Sequence, residues 1–200
     1  MDIKNIILEE ALELFFRKGT QCVTMDDVAF KCNISKKIIY KYFENKSDLL
    51  YNVIKFQAEK LQKYIKIIGI KSENSLEELT HFFKYINQVI CKISDVFNKE
   101  LKKYYPSNYI KVFKYKNEII MPFVMKNIEK GKEQKLYRDD LNTKEICESF
   151  DNISKILFTD SVFFNSDINT NAINFLNTLF INRLVSLEGL ELLKKYNTVS

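Results

Sequence analysis

Residues 24–46 carry a dense set of side chains that can donate hydrogen bonds to phosphate oxygens or to the edges of bases. The candidates are Thr24, Ser35, Lys36, Lys37, Tyr40, Lys41, Tyr42 and Lys46. Five lysines lie between residues 31 and 46, against the single acidic residue Glu44. Such a compact group of cations attracts a polyanion, whereas the overall net charge of +5 indicates no particular partner by itself. The chemistry that these residues offer is binding of a nucleic acid.

Two short helices separated by a tight turn are expected to position these side chains. Thr24 is a suitable N-cap for the first helix, and Asp27 follows at capping-box spacing. Ala29 is small enough to lie where the two helices cross. Asn33 follows at a position that needs a residue tolerant of the left-handed conformation, and Ser35 can cap the second helix.

The second helix has the length of a helix that enters the major groove of DNA. Its inward side is expected to carry Ile38, Ile39 and Tyr42, which leaves the other polar side chains nearer solvent: Lys36, Lys37, Tyr40 and Lys41. The pattern predicts a helix-turn-helix that binds DNA. The alternative is an ordinary helical hairpin with a solvated basic face.

The flanking segments extend the pattern. An apolar stripe from Ile3 to Phe15 ends at the possible C-cap Gly19, and a further helix opens near residue 46 with Asn45 or Ser47 as its cap. Over about the first fifty residues, the chain resembles the DNA-binding domain of TetR-family repressors. The resemblance is carried by Phe15 with Gly19, Thr24, Val28-Ala29, Ser35, Tyr40, Phe43, Lys46 and Leu49-Leu50.

The resemblance implies a role for each candidate side chain. Contacts along the phosphate backbone are expected from Thr24, Tyr40, Tyr42 and Lys46, whereas Lys36 and Lys37 are best placed to reach base edges. The chain departs from the family at two places. Asn33 stands where the family usually has glycine, and Lys37-Ile38 replaces a pair that often ends in threonine or serine. Since Ile38 cannot donate to a phosphate, that family contact is in doubt, and Lys37 can supply its charge or a different base preference.

The fold class expected from the whole chain is all-α, with about nine helices. Four glycines and two prolines in 200 residues argue against a turn-rich β architecture. We expect a DNA-binding domain over residues 1–46 and a helical regulatory domain for ligand binding and dimerisation over residues 47–200. The boundaries expected in the second domain are a long helix ending at Gly69, a cap at Ser75, helix starts at Pro106 and Thr143, a kink or start at Pro122, and a loop near Gly131.

The last two expected helices, at about 143–165 and 169–187, are apolar over more than one narrow stripe. This suggests burial on two sides. In TetR-like proteins the last two helices form a four-helix dimer interface with their counterparts. The candidates here are Phe150, Ile153, Leu157, Phe175, Leu176, Leu179 and Phe180. An intramolecular core is the alternative.

Aromatic residues are concentrated in the middle of the chain, where a ligand cavity is expected between helices. Candidate lining residues are Phe82, Phe83, Tyr85, Phe97, Tyr104, Phe113, Phe123 and Phe158. The alternative is that these aromatic residues only fill the hydrophobic core. The lysine-rich segment 99–116 is interpreted as a solvated face, and binding of an anionic ligand is the alternative.

Several functional classes find no support in the sequence. There is no phosphate-binding glycine loop and no nucleophile elbow, so the chain is not expected to be an enzyme or to bind a cofactor. The four cysteines lack metal-site spacing and are expected to be buried in a reducing cytoplasm, with redox sensing at Cys91 or Cys147 as the alternative. No signal peptide and no membrane span are expected.

These observations together predict a cytoplasmic, homodimeric, TetR-like transcriptional regulator. We expect it to repress by binding an inverted-repeat operator in double-stranded DNA and to be released by a small-molecule effector. The alternative is a DNA-binding protein of the same fold without small-molecule input, which acts as an architectural factor or responds to a protein partner.

Overall fold

The computed structural model describes the backbone of residues 2–159 and 166–198 and the side chains of residues 2–155 and 171–196. These residues form helices, and their only β pairing is one isolated bridge between Tyr137 and Val185. The helices are α1 (Ile3–Lys18), α2 (Met25–Lys31), α3 (Lys36–Tyr42), α4 (Lys46–Lys71), α5 (Ser75–Ile90), α6 (Asp95–Tyr104), α7 (Pro106–Tyr115), a π-helical segment (Lys116–Ile120), α8 (Met121–Glu133), α9 (Thr143–Thr159), α10 (Ser166–Leu184) and α11 (Leu187–Thr198). The all-α prediction is confirmed.

The described residues contain ten helices when the continuous run 106–133 is counted as one, rather than about nine. The predicted last helix ends earlier, at Leu184, and Leu187–Thr198 forms a further helix that was not predicted. The predicted helix starts at Pro106 and Thr143 are confirmed, and Asn45 caps α4 by accepting from the Asp48 N–H.

Gly69 was predicted to end a helix and Gly131 to lie in a loop together with residues 137–140. Both glycines lie inside helices, whereas residues 137–140 do lie between α8 and α9. Helix α4 continues through Gly69 to Lys71, and α8 continues through Gly131 to Glu133. Gly131 permits close packing instead, because a Cβ there would lie 2.0 Å from Cδ2 of Tyr137. The predicted cap at Ser75 is also wrong by one position. Asn74 caps α5, and its side chain accepts from the Glu77 N–H at 2.9 Å.

The buried side chains form two clusters. The first joins α1, α2 and α3 to the beginning of α4, and it also includes Phe97 and Leu101 of α6. The second joins the end of α4 to α5, α8, α9 and α10 around the fully buried Tyr137. Helix α4 therefore contributes to both clusters. The domain boundary at residues 46 and 47 remains a prediction.

The cysteines are less uniformly buried than predicted. Cys147 is buried and Cys32 is partly buried, but Cys22 and Cys91 are exposed. Within the described part of the chain, no three His, Cys, Asp or Glu side chains are grouped as metal ligands. The helices described there are too short or too polar to cross a lipid bilayer.

Candidate nucleic-acid interface

Helix α2 begins with the predicted capping box. The Asp27 N–H donates to the Thr24 hydroxyl oxygen at 3.1 Å, and the Thr24 N–H donates to Asp27 Oδ2 at 2.7 Å. The hydroxyl of Thr24 also donates to the same carboxylate, at 2.6 Å. This hydroxyl bond and the bond from the Thr24 N–H lower the pKa of the Asp27 carboxyl. Thr24 is exposed, so its position at the start of α2 is open to a ligand although its hydroxyl already has a partner.

The turn between α2 and α3 has the predicted geometry. Asn33 adopts a left-handed conformation with φ of 54°, and its N–H donates to the Phe30 carbonyl at 3.0 Å. The Ile34 N–H donates to the Ala29 carbonyl, also at 3.0 Å. Ala29 is buried at the crossing and Ile39 is fully buried, so α3 packs firmly on α2 through this pair.

Helix α3 presents a polar face with one more aromatic side chain than predicted. Tyr42 was predicted to point inward, but 39% of it is exposed, and only Ile39 of α3 is buried. Ser35 occupies the N-cap position without a side-chain cap hydrogen bond. The exposed candidates of this face are Ser35, Lys36, Lys37, Tyr40, Lys41 and Tyr42.

The five clustered lysines differ in their surroundings. Lys31 approaches Glu10 and Glu13 of α1, at 3.7 and 3.9 Å. The ammonium of Lys36 lies 2.6 Å from Asp26 Oδ2, and this hydrogen bond raises the pKa of Lys36.

Lys46 is partly buried. Its ammonium donates to the Gln21 carbonyl at 3.4 Å, and desolvation lowers its pKa. By contrast, Lys37 and Lys41 are exposed and form no ion pair with any residue that the structure describes. Lys37 and Lys41 are therefore the lysines of the cluster that are both exposed and outside any ion pair among the described residues.

A carboxylate of α6 contacts the loop between α1 and α2, which the sequence did not indicate. Glu100 Oε2 accepts from the Gln21 N–H at 2.7 Å and from the Thr20 hydroxyl at 3.1 Å. Gly19 has φ of 81°, and a Cβ there would lie 2.6 Å from the same oxygen. The Ser94 N–H, which precedes α6, donates to the Phe16 carbonyl at 2.8 Å. Helix α6 is thus attached to the end of α1 and to the loop that leads into α2.

Comparison with known proteins agrees with this geometry. Residues 7–53 match the family described as "Bacterial regulatory proteins, tetR family". Residues 7–53 thus form a DNA-binding domain of the TetR family type. The matched segment contains the capping box, the left-handed turn and α3, so the family match and the helix-turn-helix geometry coincide.

Two relatives with similar sequences are described as transcriptional regulators. The HTH-type regulator YuxN of Bacillus subtilis is 33% identical over 70 residues, which are 35% of this chain and 23% of that protein. The negative regulator IcaR of the biofilm operon icaADBC in Staphylococcus aureus is 32% identical over 85 residues, or 42% of this chain and 46% of that protein. The chain thus spans less than half the length of these two relatives.

Solved structures share the fold over nearly the whole chain. A TetR regulator from Legionella pneumophila has a TM-score of 0.73 with 18% identity, and covers 93% of this chain and 98% of its own. The fatty acid degradation regulator FadR from Bacillus halodurans has a TM-score of 0.68 with 16% identity, and covers 90% and 95%. At such identities the likeness shows the fold alone.

Two of the cavities that the described residues form adjoin each other. The larger measures about 140 Å³, and the predicted residues Tyr85, Phe97 and Phe113 line it. The smaller measures about 50 Å³ and is lined by Phe82 and Phe83 among others. The remaining predicted lining residues lie elsewhere. Tyr104 is 49% exposed and Phe123 is buried in the second cluster, and neither lines these cavities. The side chain of Phe158 lies outside the described residues.

The prediction of a solvated face for residues 99–116 is wrong at its last residue, Lys116. Lys116 is 4% exposed, it lines both cavities, and its ammonium is hydrogen-bonded to Asp151 of α9. Burial of this lysine depends on a carboxylate thirty-five positions away, which no local pattern reveals.

The predicted interface residues fall into two groups. Phe150 and Phe180 pack on Phe83, with ring centroids 6.4 and 5.9 Å from it, so they belong to the protomer's own core. Leu176 is partly buried and lines the smaller cavity. The exposed group consists of Ile153 (36% exposed), Phe175 (62%) and Leu179 (49%). The side chain of Leu157 lies outside the described residues.

Proposed function

We propose that this TetR-family chain is a transcriptional repressor that binds an inverted-repeat operator as a homodimer in the cytoplasm, and that a small molecule releases it. The observation that carries the proposal is the exposed cationic face of α3 on a rigid helix-turn-helix frame. A face of this size and charge fits the major groove. The relative IcaR, described as a negative transcriptional regulator, supports repression.

The contacts proposed on DNA divide between the backbone and the bases. Thr24, Tyr40, Tyr42 and Lys46 lie along the phosphates, and these contacts fix the orientation of α3. Lys37 reads a base edge, because it is exposed and no carboxylate of the described residues holds its ammonium. The remaining polar groups of the same face, Ser35, Lys36 and Lys41, contribute where the duplex approaches them. Lys36 must leave Asp26 to do so.

Dimerisation is proposed to occur through α9 and α10. Ile153, Phe175 and Leu179 leave apolar surface in water although the protomer's own core lies directly behind them. In a twofold interface the same apolar patch of each copy is buried against the other, which removes both patches from water. One short recognition helix makes too few contacts for useful specificity, so a dimer also suits the proposed operator.

Release by a ligand is proposed to act through α6. Phe97 and Leu101 of this helix line the larger cavity, while Glu100 of the same helix holds the loop between α1 and α2. A ligand that displaces α6 therefore also displaces the helix-turn-helix unit. Linkage requires that operator DNA weaken the binding of such a ligand by the same factor, typically about 5- to 150-fold.

Selection of bound duplexes from a random pool tests the DNA part of the proposal. We expect enrichment of an inverted repeat whose half-site centres lie about 34–36 Å apart, or a near multiple of it. The double variant Lys37→Ala, Lys41→Ala should lose the enrichment, whereas the control Lys63→Ala, Lys126→Ala, which changes exposed lysines of α4 and α8, should keep it. If the Lys37→Ala, Lys41→Ala variant still enriched the inverted repeat, α3 would not be the recognition helix.

A further inference from the structure

The larger cavity is apolar except for a few side chains, and Lys116 is the only charged residue that lines it in the described part of the chain. Lys116 begins the π-helical segment that interrupts the run from α7 to α8. Its ammonium lies 5.9 Å from the ring centre of Phe113, which also lines this cavity. A cation at the wall of an apolar cavity gives that cavity a specific preference for ligand charge.

The ammonium of Lys116 also borders the smaller cavity. Ile86, Ile90, Lys116 and Ile120 line both cavities and therefore form the partition between them. Lys116 Nζ donates to the Ser154 hydroxyl oxygen at 3.2 Å, and Ser154 lines the smaller cavity. The charged end of this lysine thus lies at the junction of the two cavities.

Asp151 neutralises Lys116 in a way that can be undone. Its Oδ1 accepts from Lys116, while its Oδ2 lies 2.5 Å from the ammonium of the half-exposed Lys155. If an incoming anion takes the place of Asp151 on Lys116, Asp151 keeps Lys155 as a partner.

The donor count of Lys116 agrees with this exchange. An ammonium has three N–H donors. Among the described residues two acceptors contact Lys116 Nζ, namely Asp151 Oδ1 and Ser154 Oγ. A buried ion pair is weak evidence for stability, because desolvation of both charges opposes their attraction. A ligand-binding role gives a reason for a buried lysine at this position.

We propose that the cavities bind a hydrophobic acid. Its apolar body occupies the larger cavity, and its single anionic head, such as a carboxylate, accepts from Lys116 at the partition in place of Asp151. The proposal specifies the chemical class of the effector, and it therefore rests on the ligand-binding part of the proposed function.

Matched acids and alcohols test the proposal by calorimetric titration of the full chain. The probes are octanoate with 1-octanol and 2-naphthoate with 2-naphthalenemethanol. We expect each acid to bind at least about tenfold more tightly than its alcohol, as a charge-assisted hydrogen bond implies. Equal affinities within both pairs would overturn the proposal.

Three variants locate the effect. Lys116→Met, which is uncharged and one atom shorter, should abolish the preference for acids, so that each acid binds no more tightly than its alcohol. Lys114→Met, at the exposed neighbouring lysine of α7, is the control and should keep the preference. Asp151→Asn removes the competing carboxylate and should tighten acid binding by several-fold. A merely structural role of the pair predicts the opposite for Asp151→Asn, namely weaker binding of both probes, and that result would overturn the proposal even if Lys116→Met failed to fold.

Titration of operator DNA in the presence of the better acid separates this proposal from the function on which it rests. Acid binding that depends on Lys116 but leaves DNA affinity unchanged supports the site and contradicts induced release. Release of DNA by the acids that persists in Lys116→Met supports induction and contradicts the site.

Discussion

Lys36 and Lys37 are neighbours in the sequence, yet their surroundings differ. Asp26 holds the ammonium of Lys36, whereas the ammonium of Lys37 extends into solvent without an ion pair among the described residues. Lys46 differs from both, because its ammonium donates to the carbonyl of Gln21 and desolvation lowers its pKa. At the scale of single residues, we expect these differences to decide which cation reads a base and which only positions the helix on DNA.

The first prediction concerns Lys37 and Lys46. Lys46→Ala should weaken binding about equally on all sequences and reduce the slope of log affinity against log salt by about 1, because it removes one phosphate contact. Lys37→Ala should relax the preference at one base position, at a cost of about 1–3 kcal/mol on the preferred base. Titrations of operator and of single-base variants at several salt concentrations measure both effects, with Lys126→Ala as control. A uniform loss in both variants would show that Lys37 does not read a base.

The second prediction concerns Asp151 and pH. Burial raises the pKa of this carboxyl, but hydrogen bonds from Lys116 and Lys155 outweigh burial and hold the pKa below its usual value. Since the lowered pKa belongs to the folded state, ionised Asp151 stabilises the fold above its unfolded pKa of about 3.9. That stabilisation is lost as the pH falls through the lower, folded value. We expect Asp151→Asn to melt below the unchanged protein at about pH 7, and the difference to shrink below about pH 4.

Thermal unfolding followed by circular dichroism between about pH 3 and pH 7 measures this difference. Asp139→Asn is the control, because Asp139 is exposed and forms no ion pair among the described residues. A difference between Asp151→Asn and the unchanged protein that stays constant over the whole range would contradict the linkage.

The turn between α2 and α3 decides how the recognition helix is held. Its backbone hydrogen bonds require a left-handed residue at position 33, where this chain has asparagine and the family usually has glycine. Asparagine tolerates this conformation better than other residues with a side chain, since its short polar group can bond locally. The departure from the family therefore leaves the geometry of the element intact.

The third prediction tests that requirement. Asn33→Ala should lower the free energy of unfolding by about 1 kcal/mol, because alanine is strained at positive φ. Asn33→Gly, the matched control, should change it by less than about 0.5 kcal/mol. Urea unfolding with an unchanged m-value measures both. Equal losses in the two variants would indicate that the asparagine side chain, rather than the backbone conformation, stabilises the turn.

At the scale of the whole molecule, the arrangement of apolar surface on the C-terminal helices matters most. The part of the predicted interface set that faces inward, including Phe150 and Phe180, completes the protomer's own core. The part that faces outward, including Phe175 and Leu179, is left in water. The inward face thus belongs to the core, and the proposed interface is confined to the outward face.

The fourth prediction follows from the exposed face. Because Leu179 is half exposed, Leu179→Glu should give a folded monomer, in which like charges oppose each other across the proposed twofold seam. That monomer should lose specific operator binding and keep weak, salt-sensitive binding through a single recognition helix. Analytical ultracentrifugation and operator titration measure the two properties. Ile110→Glu, at an exposed apolar residue of α7, is the control. A Leu179→Glu dimer with full operator affinity would place the seam elsewhere.

The sequence by itself determined the helix-turn-helix unit, because that unit depends on short-range rules. The capping box at Thr24, the left-handed turn at Asn33 and the buried wedge at Ile39 each involve residues within a few positions of one another. The family's pattern follows from the same local requirements. The all-α class followed likewise from helical periodicity and from the scarcity of glycine and proline.

Only the tertiary structure decided the features that join distant parts of the chain. Glu100 contacts Thr20 across eighty positions, and Lys116 meets Asp151 across thirty-five. Gly131 permits close packing of α8 against Tyr137 and does not lie in the predicted loop. A charged or small residue has the same local signature on a solvated face as in a packed interior. Its role is set by the partner that folding brings to it, and no spacing in the sequence records that partner.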